Sequence, residues 1–231
     1  MKALIAESAF FCMLLTLACY QFGCFLQRKF PIALCNPLLI SILLCIGLLL
    51  LLNIPYDSYA AGTQFLSYLL TPATVCLAIP LYQQLSVLRQ NWPAICAAVL
   101  AGVLASLIGI YLCSRLFSFN QAQYLSLLPK SITTVIGLGL SEEFGGIPSF
   151  TASAIILTGI FGSIIAQGAC KWLGITHPIA RGLAIGCASH AIGTARALEL
   201  GETEGAMSSL AIAVSGLSTA LLMGIFAALP L

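Results

Sequence analysis

Eight apolar runs fill this 231-residue chain almost end to end, at about 8–27, 36–53, 62–88, 92–117, 121–140, 149–172, 180–199 and 205–230. An α-helix needs roughly 20 such residues to cross about 30 Å of hydrocarbon, so each run is a helix candidate. Composition agrees, because 60% of the residues are hydrophobic and 7% charged, too little polar surface for a monomer in water. The expected fold is an all-α polytopic membrane protein with no separate soluble domain. Its net charge of +2 is scattered and builds no basic face, so the expected partner is a lipid bilayer and not nucleic acid.

The ten cysteines (Cys12, Cys19, Cys24, Cys35, Cys45, Cys76, Cys96, Cys113, Cys170 and Cys187) sit mostly inside apolar runs and form no C-x-x-C pair. They read as small apolar packing residues. Lys2 followed by the run Ser8 to Leu26 resembles a signal peptide in outline, but the run is long for a signal core and Arg28-Lys29 follow it directly. It reads as a retained first span.

Three runs are broken by polar residues. The third contains Thr71-Pro72-Ala73-Thr74, the fifth Pro129-Lys130-Ser131, and the seventh Ser189-His190-Ala191-Ile192-Gly193-Thr194-Ala195-Arg196. Asn36-Pro37 open the second run as Ile147-Pro148 open the sixth, and Gly62 to Thr74 matches the spacing of Gly182 to Thr194. Residues 1–117 and 121–231 therefore read as two repeats, each with a broken third segment. Broken segments at corresponding positions point to a transporter site at the bilayer midplane.

Loop charge tests the topology, because Lys and Arg concentrate on the cytoplasmic side. Eight plain crossings scatter the cations over both sides. If 62–88 and 180–203 are instead re-entrant hairpins, Arg28, Lys29, Arg115, Lys171 and Arg181 share the cytoplasmic side against Lys2 and Arg89. Each half then crosses three times, which makes the repeats inverted. Eight spans with discontinuous helices is the other reading.

A Lys or Arg at a helix centre costs about 2.5–3.5 kcal/mol on insertion, so each one needs a reason. Lys130 follows Pro129, and helical spacing gives it the neighbours Ser126, Thr133 and Thr134. It either lines a polar site or snorkels to an interface. In the seventh run a helix unwound at Gly193 brings Ser189, His190, Thr194 and Arg196 together with free N–H donors, a set suited to a carboxylate. The alternative pairs Arg196 with Glu199. His190 is either a proton-coupling group or a packed, hydrogen-bonded histidine. Glu142-Glu143 and the acids of Glu202-x-Glu204-Gly205 read as loop or helix-start charge. The candidate substrate-binding set is Asn36, Pro72, Thr74, Lys130, Ser131, Thr133, Thr134, Ser189, His190, Gly193, Thr194 and Arg196. No metal-ligand set, nucleophile elbow or phosphate loop stands out, so neither a cofactor nor an enzymatic activity is expected. Small residues at Ala98, Gly102 and Ser106, and at Gly159, Gly162 and Ser163, mark faces for close helix packing, within the chain or in a homodimer.

Several stretches together resemble the LrgB/CidB family: Asn36-Pro37-Leu38-Leu39-Ile40, Tyr56-Asp57-Ser58-Tyr59, Leu128-Pro129-Lys130-Ser131-Ile132-Thr133-Thr134, Gly145-Gly146-Ile147-Pro148, Ala180-Arg181-Gly182-Leu183-Ala184-Ile185-Gly186, Ser189 to Arg196, and Glu204-Gly205-Ala206-Met207-Ser208-Ser209-Leu210. They cover nearly the whole chain in order. The resemblance implies a bacterial inner-membrane protein working beside a small LrgA/CidA-type membrane partner. It also implies one of two functions, holin/antiholin-like control of murein hydrolases and autolysis, or carriage of small carboxylates such as pyruvate, lactate or glycolate. A carrier saturates and depends on single binding residues, whereas a pore passes unrelated solutes.

Overall fold

The computed structural model describes residues 9–30, 37–69, 72, 75, 76 and 78–231. Every regular element among them is an α-helix. They form two compact units, Met1–Cys76 and Leu77–Leu231. This division does not coincide with the halves 1–117 and 121–231 read from the sequence.

In the first unit α1 (Ala9–Lys29) packs against α2 (Pro37–Leu52), followed by two short helices, α3 (Tyr56–Gly62) and α4 (Gln64–Tyr68). Asn53 ends α2 by taking a left-handed φ of 54°. That turn lets the N–H of Ile54 reach back to the Leu49 carbonyl at 3.0 Å, satisfying a helix-end acceptor. Helix α3 then lies along α1, with the Tyr59 hydroxyl 2.8 Å from Thr16 Oγ1.

The second unit holds α5 (Ala78–Gln83), α6 (Leu85–Leu116), α7 (Gln121–Leu127), α8 (Thr134–Glu143), α9 (Pro148–Trp172), α10 (Pro178–Leu200) and α11 (Glu202–Ala227). Among the described residues four helices are long and apolar enough to cross a membrane: Ala9–Lys29, Arg89–Leu116, Pro148–Trp172 and Glu202–Ala227. Polarity is reversed relative to a soluble fold. On α11 Ser208, Ser215 and Thr219 are buried, while Leu217, Leu221 and Ile225 are 65%, 71% and 63% exposed. Outward leucines with inward hydroxyls suit a hydrocarbon solvent. The protein is a multi-pass membrane protein.

The remaining helices of this unit form hairpins, and their contacts give the directions. The Asn120–Gln123 capping box starts α7, with the Gln123 N–H donating to Asn120 Oδ1 at 2.9 Å. Near that start Gln121 Nε2 donates to the Ala227 carbonyl at 3.4 Å, at the finish of α11. Arg115 and Tyr111 of α6 donate to the Pro230 carbonyl at the same end. Pro129 cannot donate in a continuing helix, and the chain turns through 128–133. Helix α8 then runs antiparallel to α9, because Ser141 Oγ meets Thr151 Oγ1 at 2.6 Å while Gly137 faces Ile155. Residues 121–143 therefore leave and return to one end of the unit. The sequence reading of 121–140 as a crossing segment is corrected here. A hairpin of two short arms has the same apolar length as one spanning helix, so hydropathy does not separate them.

Helix α10 reverses as well. Gly182 lies against Glu204 and Gly186 against Ser208, so 178–189 runs parallel to α11. Thr194 meets Ser208 and Leu198 meets Gly205, so 191–200 runs antiparallel to it. Between the arms His190 takes φ 42° and ψ −139°. The polar seventh run is thus a helical hairpin dipping from the end where α9 finishes and α11 begins, opposite to the first hairpin. Gly145 at φ 83° and Gly174 at φ 68° make the left-handed turns that close α8 and α9, positions where a β-carbon is strained.

These directions regroup the charges. Arg89 and Arg115 lie at opposite ends of α6. Lys171 and Arg181 lie at the end where α6 begins, which leaves Arg115 at the other end with Glu142 and Glu143. The expectation that Arg115 shares a side with Lys171 and Arg181 fails because 121–143 does not cross. The core between α6, α7 and α11 is built from an i, i+4 ridge of Ile95, Val99, Val103 and Leu107 against Tyr124, Leu128, Met207 and Met223.

Candidate functional site

The tip of the first hairpin sits deep in the unit. Ser131 Oγ is 3.1 Å from Ser106 Oγ on α6. From Leu116 back to Ser106 is about 15 Å of helix at 1.5 Å per residue, half of a ~30 Å hydrocarbon layer. The tip of the second hairpin reaches a similar depth, because His190 Nε2 lies 2.9 Å from the Ile155 carbonyl and its ring faces Gly159, near the middle of 25-residue α9.

A cavity of about 650 Å³ runs between α6 and the 178–189 arm and ends at the first tip. Asn91 and His177 line the end where α6 and α10 begin, and Ser106, Lys130 and Ser131 line the end at the hairpin tip. Between them α6 presents Ala94, Ile95, Ala98 and Gly102, and the arm presents Leu183, Ala184, Cys187 and Ala188. Lys130 is half-buried, and its ammonium donates to Ser131 Oγ at 3.0 Å. Among the described residues no carboxylate lies within ion-pair distance of it. The candidate site is therefore a lysine beside neutral hydroxyls at the hairpin-tip end of a largely apolar cavity.

The seventh-run residues face elsewhere. Ser189 and His190 are buried against α9, whose Gly159 and Gly162 make room for them. A β-carbon at Gly162 would stand 1.9 Å from Ser189 Oγ. The close packing expected at these small residues occurs within the chain. Thr194 Oγ1 donates to the His190 carbonyl at 3.0 Å and meets Ser208 Oγ at 2.7 Å, which satisfies a polar group freed by the break. Gly193 packs on Ile185 and Ser189, the contact that lets the two arms fold together. Arg196 pairs with Glu199 and donates to Gln167 Oε1 at 3.2 Å.

Of the sequence-predicted set, Lys130 and Ser131 share the cavity. Thr133 and Thr134 are half-buried at the start of α8. Ser189, His190, Gly193, Thr194 and Arg196 form a second cluster toward α9 and α11. Pro72 is exposed and helical, in the first unit, while Asn36 and Thr74 lie outside the described residues. Sequence reasoning missed Asn91, Ser106 and Cys187 as lining residues. The small face Ala98–Gly102–Ser106 was the available signal, and it forms a cavity wall rather than only a helix contact. Among the described residues no group of three His, Cys, Asp or Glu is placed to hold a metal ion.

In the second unit three long apolar helices accompany two helical hairpins that enter from opposite ends, with a lysine at one tip, the layout of a multi-pass membrane protein. Residues 16–229 match the LrgB-like family. The chain belongs to that family. It is 36% identical over 220 residues to the antiholin-like protein LrgB of Bacillus mycoides strain KBAB4, covering 94% of this chain and 95% of that one. The proteins of the same name from Bacillus cereus strain B4264 and Bacillus anthracis strain CDC 684 are equally similar. No solved structure matches the chain.

Proposed function

We propose that this chain is an inner-membrane carrier for small monocarboxylates, with Lys130 and Ser131 as the carboxylate-binding pair. The observation that carries this reading is the Lys130 ammonium, at a hairpin tip about halfway along α6, lining a cavity with no acidic partner among the described residues. A cation in that position is stabilised by an anionic ligand, and one cation matches one carboxylate. Arg89, Lys171 and Arg181 at the end where α6 begins, against Arg115 at the other, favour a cytoplasmic placement of that end. An inverted relation of the kind that supports alternating access is read between 121–172 and 178–227, each a hairpin followed by a crossing helix, beside the one proposed between 1–117 and 121–231. Control of autolysis then follows from carboxylate traffic, with a small LrgA/CidA-type protein and a second copy of this chain as the proposed partners.

The name shared by the relatives favours one other reading, a holin/antiholin-like pore or regulator of murein hydrolase export. Uptake into proteoliposomes of the purified chain separates the two. A carrier takes up labelled pyruvate along a saturating curve, is inhibited by unlabelled lactate, and excludes sucrose. Linear uptake of pyruvate and sucrose alike assigns the chain to the pore reading.

A further inference from the structure

The cavity is far larger than the head group its lysine binds. Lys130 and Ser131 line the hairpin-tip end, and the polar residues Asn91 and His177 line the other, where α6 and α10 begin. From Asn91 to Ser106 is about 22 Å of α6 axis. Along that length the walls are Ala94, Ile95, Ala98 and Gly102 on one side and Leu183, Ala184, Cys187 and Ala188 on the other, with the weakly donating Cys187 thiol as their one side-chain polar group. A volume of about 650 Å³ falls within the range of pockets that enclose ligands much bigger than a three-carbon acid. A hydrated vestibule for a polar solute calls for hydroxyls or amides along its walls, and these walls have methyl groups.

We infer that the acids this site takes best are monocarboxylates with an apolar tail, the carboxylate on Lys130 and the tail along the wall of α6 and the 178–189 arm. The inference rests on the carrier reading and narrows its substrate class. It also excludes dicarboxylates, because a second carboxylate lies against alanine and leucine with no cation to meet it.

The test is inhibition of labelled pyruvate uptake into proteoliposomes by 2-oxo acids of rising length: 2-oxobutanoate, 2-oxopentanoate, 2-oxohexanoate and 2-oxooctanoate, with 2-oxoglutarate as the diacid. Inhibition strengthens by roughly two- to fourfold per added methylene up to the six-carbon acid, as expected for CH₂ groups leaving water. The five-carbon diacid is at least about tenfold weaker than 2-oxopentanoate, its length match, because its far end is left desolvated and unpaired. Ala98→Leu, which narrows the wall, lowers the advantage of 2-oxohexanoate over 2-oxobutanoate. Saturable pyruvate uptake that longer acids inhibit no better, or that the diacid inhibits equally, overturns the inference and leaves the carrier reading standing. Calorimetry with 2-oxohexanoate decides the inference where uptake is absent. Binding that Lys130→Ala removes upholds the tail site even if the carrier reading has failed, and no binding overturns it.

Discussion

Ser106 Oγ on α6 lies 3.1 Å from Ser131 Oγ in the turn of the first hairpin, and Ser131 in turn accepts a hydrogen bond from the Lys130 ammonium at 3.0 Å. This pair holds the lysine head at the hairpin-tip end of the cavity with neutral groups, so its charge stays available to a ligand. Ser131→Ala removes the direct acceptor and is expected to weaken pyruvate uptake about tenfold, in line with ~1.5 kcal/mol for a hydrogen bond to a charged group. Ser106→Ala acts one bond further away and has the smaller effect. Equal, negligible effects of both substitutions on the uptake KM contradict this arrangement.

The hairpin at 121–143 makes a topological prediction. Single cysteines replacing Arg89 and Arg181 in a chain with its exposed native cysteines removed react with an impermeant thiol reagent from one side of the membrane. A cysteine replacing Arg115 or Glu142 reacts from the other. Arg115 and Arg181 reacting from the same side restore a crossing segment at 121–140 and remove the opposed-hairpin fold.

Much of this was legible in the sequence, and the reasons for the exceptions are physical. Pro129-Lys130 and the polar stretch from Ser189 to Arg196 stand out because polar groups inside apolar runs require partners, and both turned out to be hairpin tips. Direction was not legible at 121–140, since hydropathy measures how much apolar length a segment has and not whether it folds back. The side chosen by His190 was not legible either. It depends on Gly159 and Gly162 opening a space on α9, a contact between residues far apart in the chain. Arg196 illustrates the same limit. Its spacing to Ser189 suits an anion site, and the pairing of two of its donors with Glu199 and Gln167 depends on neighbours that spacing to Ser189 does not reveal.

Gly162 is where the second hairpin has least room to change. Gly162→Val drives a side chain into Ser189 and is expected to destabilise the detergent-solubilised protein by about 1–3 kcal/mol, the usual range for overpacking. Thermal unfolding followed by circular dichroism reads this as a lowered Tm. An unchanged Tm means that the 178–200 hairpin does not pack on α9 as described.

Arg196→Ala separates the two polar clusters. The Arg196–Glu199 pair is partly exposed, with the two side chains 32% and 60% accessible, so its loss costs at most about 1 kcal/mol of stability. Pyruvate uptake is expected to stay saturable with KM within about fivefold, the equivalent of ~1 kcal/mol, because Arg196 does not line the cavity. Complete loss of uptake in a folded Arg196→Ala protein moves the carboxylate site to the second hairpin.

The central claim is that Lys130 is the cation that holds the carboxylate. The most direct measurement is the initial rate of labelled pyruvate uptake into proteoliposomes containing wild-type chain or Lys130→Ala, with equal amounts of folded protein confirmed by size exclusion. Removing the one Lys or Arg that lines the cavity among the described residues is predicted to lower kcat/KM by about a hundredfold or more, the loss of ~3 kcal/mol expected when a desolvated carboxylate loses its counter-charge. Uptake by Lys130→Ala that saturates at the wild-type rate and concentration contradicts the account.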